Sequence, residues 1–198
     1  MNSALILVGG RASRADGFPK HQFRCGDKTF LEIQVKELAS CADDIHIVCR
    51  NATQKEDIPH FKNVSYIQDI REGRGPAGGI HSGAWHASGA YFFVTACDMP
   101  FLSCKVVTFL FKQAEGFDAA VPIWEDGKFE PLCAVYQRDA VRKYYEQNET
   151  RRLSSLVQGI NTHYIPVNEI RSIDSDLKIF CNVNDFASLE QIKKVIPG

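Results

Sequence analysis

Apolar runs alternate with amphipathic segments along this 198-residue chain, and short polar links separate them. The first run, residues 4–8, is apolar at five consecutive positions, which is typical of a strand buried on both faces. Similar runs predict strands at 44–50, 63–68 and 91–97, and amphipathic segments predict helices at about 31–41 and 76–88. Strand, helix and strand in succession indicate βαβ units. The pattern therefore predicts an α/β fold with a mainly parallel sheet.

The second half of the chain predicts that this sheet is mixed. Residues 117–124 and 129–136 have the pattern of two strands joined by the turn 125–128, and such a hairpin adds antiparallel pairing. The remaining pattern predicts strands at 163–167 and 179–184. It also predicts helices that begin at Ser103, at Arg138, directly after Thr150 and directly after Asp185. Because the sequence contains no repeat or linker, we expect residues 1–198 to form one compact domain.

A short segment ahead of the first helix predicts a small hairpin. It spans residues 22–30 and turns at Gly26 and Asp27. Thr29 is followed by Glu32 three positions later, which matches a capping box. The first helix is therefore expected to begin next to Thr29.

The composition excludes several classes of protein. With 44% hydrophobic residues, 24% charged residues and a formal net charge of −1, the chain lacks the basic excess that a nucleic-acid or membrane surface needs. The N-terminus has no basic region, and its apolar run is too short for a signal peptide or a membrane span. Seven cysteines without C-x-x-C spacing indicate reduced thiols in a cytoplasmic protein rather than a zinc site.

The loop after the first strand is a candidate phosphate-binding loop. Gly9 and Gly10 end the strand, and Arg11, Arg14 and Lys20 follow. Paired glycines allow backbone N–H groups to turn toward an anion, and three cations suit a polyphosphate. The alternative is an ordinary turn with solvated cations. The loop matches neither the P-loop pattern nor G-x-G-x-x-G.

A second glycine-rich loop lies between residues 69 and 79. It has glycine at 73, 75, 78 and 79, and Pro76 is placed as the first residue of a helix. Such a loop brings backbone donors and the positive end of a helix dipole to one place. A tight surface turn would need fewer glycines, so we favour close approach of a ligand to this backbone.

Asp98 follows the most apolar predicted strand, 91–97, which is therefore expected to be central in the sheet. Ligands of open α/β folds bind beyond the carboxyl ends of such strands. A carboxylate there suits Mg²⁺, which takes one or two carboxylates together with phosphate oxygens. The alternative is that Asp98 only caps a turn, although Ser103 is better placed to cap the following helix.

Taken in order, these motifs resemble the molybdenum cofactor guanylyltransferases, the MobA family, within the nucleotidyltransferases of Rossmann-like fold. The family's opening motif, which begins L-x-G-G, is matched at Gly9, Gly10, Arg14 and Lys20. Its G-P-[LA]-x-G, C-D-x-P and F-x-N-V-N patterns are matched at 75–79, 97–100 and 180–184. The resemblance covers essentially the whole chain and implies a single-domain, three-layer sandwich.

The resemblance also implies a reaction and a set of residues. The terminal phosphate of Mo-molybdopterin would attack the α-phosphorus of GTP, with Mg²⁺ as cofactor and pyrophosphate as the second product. Other proteins of cofactor synthesis could make transient contacts with the enzyme. The catalytic residues would be Arg14, Lys20 and Asp98, with Asp98 as the metal ligand. Asn182 and Asn184 would lie on the pterin side, near its phosphate, or would complete the metal site. Arg151 and Arg152 would also reach the pterin side, and the alternative for this pair is a solvated helix start. The nucleotide would contact Leu7, Gly9, Gly10, Lys20, Asp69, Gly75, Pro76, Gly78 and Asp98.

Two departures from the family pattern keep alternatives open. Ala15 and Asp16 stand where the family has Met-Gly, so a carboxylate lies inside the phosphate loop, and residues 185–187 replace Thr-Pro-Glu. A related enzyme that transfers CMP, or that uses another phosphorylated cofactor precursor, would need the same residues. A sugar-1-phosphate nucleotidyltransferase is expected to be longer. A nucleotide-binding subunit without turnover is the alternative that Asp16 leaves open.

Overall fold

The computed structural model describes residues 1–8, 20–70 and 73–185. Most of their strands belong to one seven-stranded sheet, and two short strands form a separate hairpin. The strands are β1 (Asn2–Leu7), β2 (Arg24–Cys25), β3 (Lys28–Thr29), β4 (Asp44–Cys49), β5 (Val64–Gln68), β6 (Tyr91–Ala96), β7 (Ala119–Ile123), β8 (Cys133–Gln137) and β9 (Thr162–Pro166).

The sheet has the order β5-β4-β1-β6-β8-β7-β9. β1 pairs in parallel with both β4 and β6, so that Leu7 lies between Val48 and Ala96. Among the described strands of this sheet, only β8 runs antiparallel to its neighbours. These pairings confirm the predicted α/β fold with a mainly parallel mixed sheet, and they confirm that the strand before Asp98 is central.

Helices cover both faces of the sheet and make three layers. Along β1, Ala4 and Ile6 pack into one hydrophobic cluster, whereas Leu5 and Leu7 pack into the other. A strand buried on both faces explains the unbroken apolar run at the start of the sequence. The helices are α1 (Phe30–Leu38), α2 (Ala52–Glu56), α3 (Pro76–His86), α4 (Cys104–Gln113), α5 (Arg138–Gln147), α6 (Leu153–Gly159) and α7 (Val167–Ile170).

The first helix begins at the predicted capping box. The Thr29 hydroxyl accepts from the backbone N–H of Glu32 at 3.2 Å, and the Glu32 carboxylate accepts from the Thr29 backbone at 2.6 Å. The bond from the Thr29 backbone N–H, followed by the bond from the Thr29 hydroxyl, holds the pKa of the Glu32 carboxyl below its ordinary value. The hairpin β2–β3 also forms as predicted, with Gly26 at a φ of +61°.

The glycines of α3 allow this helix to lie close to β1. A Cβ atom on Gly83 would lie 2.0 Å from Leu5 Cδ1, and one on Gly79 would lie 3.0 Å from Leu7 Cδ2. Residues four apart share one helix face, so this pair of glycines marks the face that packs on the sheet. Close packing against Leu7 therefore explains why residue 79 is glycine, whereas the sequence pattern suggested the approach of a ligand.

Residues 179–184 do not form the predicted strand. A 3₁₀ turn spans Lys178–Phe180, and the chain continues to residue 184 without joining the sheet. The N–H of Ile179 donates to the Asp174 carboxylate at 2.8 Å, and the N–H of Val183 donates to the Asp98 carbonyl at 2.8 Å. The segment is apolar because Ile179, Phe180 and Val183 are buried, not because it pairs with a strand.

Several predicted boundaries are also wrong. β8 begins only at Cys133, because the N–H of Glu130 donates to the Pro122 carbonyl and the chain then turns. α6 begins at Leu153 rather than at residue 151. The side chain of Ser103 makes no capping bond; the Glu37 carboxylate instead accepts from the backbone N–H of Cys104 at 2.7 Å. The short helices α2 and α7 were not predicted.

Two predicted features lie outside the described residues. These are the candidate phosphate loop at 9–19 and the helix expected after Asp185. Among the helices that the structure describes, none is long and apolar enough to cross a membrane.

Candidate active site

Two adjoining cavities lie beyond the carboxyl ends of β1, β4, β5 and β6. The first cavity has a volume of about 390 Å³, and its lining includes Leu7, Cys49, Arg50, Asp69, Gly73, Gly75, Pro76, Gly79 and Arg151. The second cavity has a volume of about 650 Å³, and its lining includes Leu7, Lys20, His21, Arg50, Pro76, Asp98, Glu130, Asn182 and Asn184. Because three residues line both, the cavities form one continuous cleft where open α/β folds bind ligands.

The start of α3 forms one wall of the first cavity. Gly75 precedes the helix with φ +60° and ψ −146°, a conformation that is accessible to glycine and strained for other residues. Pro76 is the first helical residue, as predicted. The N-terminal end of an eleven-residue helix thus lies at the cavity, where the helix dipole favours an anion.

Asp69 is held at the end of β5 by two bonds. Its N–H donates to the Cys49 carbonyl at 2.8 Å, and its carboxylate accepts from the Ser82 hydroxyl at 3.0 Å. The same hydroxyl accepts from the N–H of Ile70 at 2.7 Å. The buried Ser82 of α3 therefore fixes the strand end that lines the first cavity.

Lys20 joins two side chains in the second cavity. Its ammonium nitrogen lies 2.8 Å from Asp98 Oδ2 and 2.6 Å from Asn184 Oδ1. The side chains of Lys20 and Asp98 are 22% and 16% exposed, which places the ion pair where water screens it only partly. A cation, a carboxylate and an amide from three distant parts of the chain thus meet at one point.

The turn that follows β6 and contains Asp98 is supported from α1. The buried side-chain amide of Gln34 donates to the carbonyls of Ala96 and Met99, both at 2.8 Å. These two carbonyls flank Asp98 in the chain. Gln34 therefore fixes the backbone that carries the carboxylate.

The segment that contains Asn184 docks through a small hydrophobic cluster. Val183 is buried against Phe23 and Phe30, apart from the two main clusters. The Phe23 and Phe30 rings pack edge to face with centroids 6.0 Å apart. Together with the bond from the Val183 N–H to the Asp98 carbonyl, this cluster holds the segment that contains Asn184 against the turn that contains Asp98.

Comparison with known proteins identifies the family. Residues 4–164 match the MobA-like NTP transferase domain. The chain belongs to this family. It is 33% identical to a probable molybdenum cofactor guanylyltransferase from Methanosarcina acetivorans, across 99% of this chain and 92% of the relative. A protein with the same name from Peptoclostridium acidaminophilum is 34% identical, across 98% and 89%.

A solved structure has the same fold over nearly its whole length. Molybdopterin-guanine dinucleotide biosynthesis protein A from Archaeoglobus fulgidus superposes with a TM-score of 0.82 at 28% identity, covering 98% of this chain and 97% of that one. Together with the curated relatives, this match shows that the protein is a nucleotidyltransferase of the MobA-like family.

The cleft brings together most of the residues that the sequence singled out in this MobA-like enzyme. Leu7, Asp69, Gly75 and Pro76 line the first cavity, while Lys20, Asp98, Asn182 and Asn184 line the second. Three predicted residues, Gly9, Gly10 and Arg14, lie outside the described residues.

Two other predicted residues are placed differently from the expectation. Gly78 is buried inside α3, where its N–H donates to the Gly75 carbonyl, and Gly79 is the glycine of the helix that lines the first cavity. Arg151, which was expected on the pterin side, lines the first cavity instead of the second.

Sequence reasoning missed two residues that line the cleft and one buried residue that supports it. Arg50 lines both cavities. It directly follows β4, and the same position after a parallel strand was the reason for selecting Asp98, but this reason was not applied to Arg50. Gln34 was not singled out, although a polar residue in the apolar stripe of Leu31 and Leu38 is unusual. Glu130 lies in a segment that is similar to one of the family, and it lines the second cavity.

The thiol beside Asp98 is not a nucleophile. Cys97 is buried, and burial, followed by the neighbouring Asp98 carboxylate, raises the pKa of its thiol to about 12. The thiolate is the reactive form of cysteine, and such a pKa leaves almost none at neutral pH. A covalent intermediate with Cys97 is therefore not expected.

Proposed function

We propose that this protein transfers GMP from GTP to the terminal phosphate of Mo-molybdopterin and releases pyrophosphate. The observation that supports it best is the continuous cleft, in which a helix N-terminus faces one cavity and the Lys20–Asp98–Asn184 cluster lies in the other. The relatives named molybdenum cofactor guanylyltransferase support the choice of GTP and molybdopterin. The guanosine of GTP would occupy the first cavity with its phosphates reaching Lys20, and the pterin would occupy the second cavity.

The reaction would need no general base. A phosphate monoester has a second pKa near 6, so the attacking oxygen is largely ionised at neutral pH. This oxygen forms a bond to the α-phosphorus, the bond from that phosphorus to the β-phosphate breaks, and pyrophosphate leaves with the electron pair. The main barrier is the approach of two anions. Arg50, which lines both cavities, and Lys20, which lines the second, would lower it by neutralising charge.

The donor atoms in the second cavity fit a magnesium ion. Asp98 Oδ2 and Asn184 Oδ1 converge on the same ammonium nitrogen, so two oxygens already point at one cationic centre. Mg²⁺ prefers such oxygen ligands and takes the rest of its shell from water and phosphates. The described residues hold no group of three or more His, Cys, Asp or Glu side chains that could bind a metal alone. Bound there, Mg²⁺ would neutralise charge on the phosphates.

Nucleotide binding measured by calorimetry tests the first half of the proposal. GTP, CTP, ATP and UTP would each be titrated into the protein with Mg²⁺. Selective binding of GTP is the expected result. Preference for CTP would assign the protein to a cytidylyl-transferring branch, and binding of none of the four would reject the catalytic proposal.

Turnover tests the second half. With GTP, Mg²⁺ and Mo-molybdopterin, we expect one pyrophosphate released for each guanine dinucleotide formed. Omission of the molybdopterin is the matched control, because the proposed reaction has no other acceptor. Pyrophosphate release at the same rate without molybdopterin would contradict the proposed acceptor.

A further inference from the structure

Glu130 is a carboxylate in the second cavity that the proposed reaction does not use. The indole Nε1–H of Trp124 donates to Glu130 Oε1 at 2.6 Å, and among the described residues no cation pairs with this side chain. Lys20, a cation of the same cavity, is paired with Asp98. Glu130 therefore retains free acceptor positions, since a carboxylate has about four lone-pair sites.

Hydrogen bonds to its backbone and to its side chain fix the position of Glu130. Its N–H donates to the Pro122 carbonyl at 2.9 Å, and its own carbonyl accepts from the N–H of Cys133 at 3.0 Å. The Trp124 ring that holds the carboxylate packs edge to face against Phe180, with centroids 5.5 Å apart. Burial raises the pKa of Glu130, and the bond from Trp124 partly opposes this shift. A half-buried carboxylate of this kind gains from a ligand that donates N–H groups.

The second cavity has two chemically different regions. Around Lys20 it offers a cation and polar oxygens, which suit a phosphate. Around Glu130 it offers an unpaired carboxylate beside the apolar side chains of Pro131 and Leu132. A phosphate would be repelled by Glu130, whereas a flat, neutral ring with adjacent N–H donors would be attracted. The cavity thus offers groups that suit a molecule carrying both a phosphate and such a ring.

We propose that Glu130 binds the 2-amino-4-oxo edge of the pterin ring by accepting hydrogen bonds from its 2-amino group and its ring N–H. This inference rests on the proposed function, since it concerns the acceptor of that reaction. Guanine has the same pair of donors and is the other possible source of this edge. Glu130 lines the second cavity and not the first, so the pterin is the partner that its position favours.

A pair of pterin analogues tests the contact without turnover. The probes are 6-hydroxymethylpterin phosphate and the corresponding lumazine phosphate, which has an oxygen in place of the 2-amino group. Binding is followed by fluorescence titration. We expect the wild-type protein to bind the pterin roughly tenfold more tightly or better, because a hydrogen bond to a charged group is lost with the lumazine. Equal affinity for both probes would overturn the proposal, and this comparison needs no variant.

Glu130→Gln separates recognition from a structural role. The glutamine oxygen can still accept from Trp124, so a merely structural Glu130 would leave the preference for pterin over lumazine unchanged, and that result would overturn the proposal. We expect the preference to fall close to one and to return in part with Glu130→Asp. Glu125→Gln, an exposed neighbour bonded to Asn168, is the matched control and should keep the wild-type preference.

Nucleotide analogues decide whether Glu130 binds the pterin ring or the guanine ring of GTP. The affinity ratio of GTP to ITP, which lacks the 2-amino group, should be the same in wild type and Glu130→Gln. A ratio that falls only in the variant would mean that Glu130 binds guanine, and the proposal would be rejected. If the protein fails to turn over GTP but retains the Glu130-dependent preference for pterin, the proposed reaction is wrong and the pterin contact stands.

Discussion

The ammonium nitrogen of Lys20 lies 2.8 Å from Asp98 Oδ2, although 78 positions separate the two residues in the chain. Lys20 follows the segment after β1, and Asp98 follows the neighbouring strand β6. Parallel pairing of β1 and β6 places both carboxyl ends at the same edge of the sheet. Asp98 lies at this edge, and the contact with Lys20 brings opposite charges to the place where two anionic substrates would meet.

Asp98→Asn is expected to lower the rate of pyrophosphate release by at least about 100-fold, since a lost charge contact at the reacting phosphates has typically that effect. The fold should survive, because the asparagine oxygen can still accept from Lys20, so the melting temperature should change little. Asp126→Asn is the matched control: it removes the carboxylate of an exposed ion pair with Lys128. A near-normal rate in Asp98→Asn would remove this residue as the metal ligand.

Lys20→Ala is expected to weaken GTP binding roughly 10- to 100-fold, which corresponds to the loss of one hydrogen bond between charged groups. Calorimetry with Mg²⁺ and GTP measures the change. Lys128→Ala removes a lysine from the exposed Asp126 pair and should leave the affinity unaltered. If Lys20→Ala binds GTP as tightly as wild type does, Lys20 does not neutralise the triphosphate.

Gly83→Ala is expected to destabilise the protein by about 1–3 kcal/mol, because the new methyl group would overlap Leu5 Cδ1 in a packed core. In an open helix the same change would be stabilising. Urea unfolding of a double-mutant cycle with Leu5→Val measures the overlap directly, since valine lacks the Cδ atoms. Additive effects of the two substitutions would contradict the proposed clash.

Glu32 is expected to stabilise the folded state in a pH-dependent way. Its pKa is lowered in the folded protein by the Thr29 backbone and hydroxyl, so its contribution is present above the unfolded pKa of about 4.3 and is lost as the pH falls through the folded value. The difference in unfolding free energy between wild type and Glu32→Gln should therefore shrink on acidification. Glu146→Gln, at an exposed position of α5, is the matched control. A difference that grows at acid pH would refute the assignment.

The mainly parallel sheet, its central strand and the strand-end residues could be predicted because they depend on local pattern. An unbroken apolar run means burial on both faces, and the rule that ligands bind beyond parallel strands then selects Asp98 without further information. The same rule would have selected Arg50 after β4. The sequence pattern therefore contained more of the cleft than the motifs alone indicated.

Features that depend on tertiary contact could not be predicted. Residues 179–184 have the apolar pattern of a strand, but their burial comes from packing beside the Asp98 turn rather than from the sheet. Gln34 gives no local sign that it bonds to the carbonyls on either side of Asp98. The glycines of α3 suggested a ligand, whereas Gly79 and Gly83 are needed where the helix meets Leu5 and Leu7. In each case the partner is remote in the chain.

The separate cluster of Phe23, Phe30 and Val183 gives part of the cleft an independent stability. Opening this cluster would withdraw Lys20 and Asn184 together, while the two main hydrophobic clusters and the sheet stay intact. Such a local opening costs less free energy than global unfolding. The packing of Phe23, Phe30 and Val183 therefore sets the free energy needed to open this wall of the cleft without unfolding the sheet.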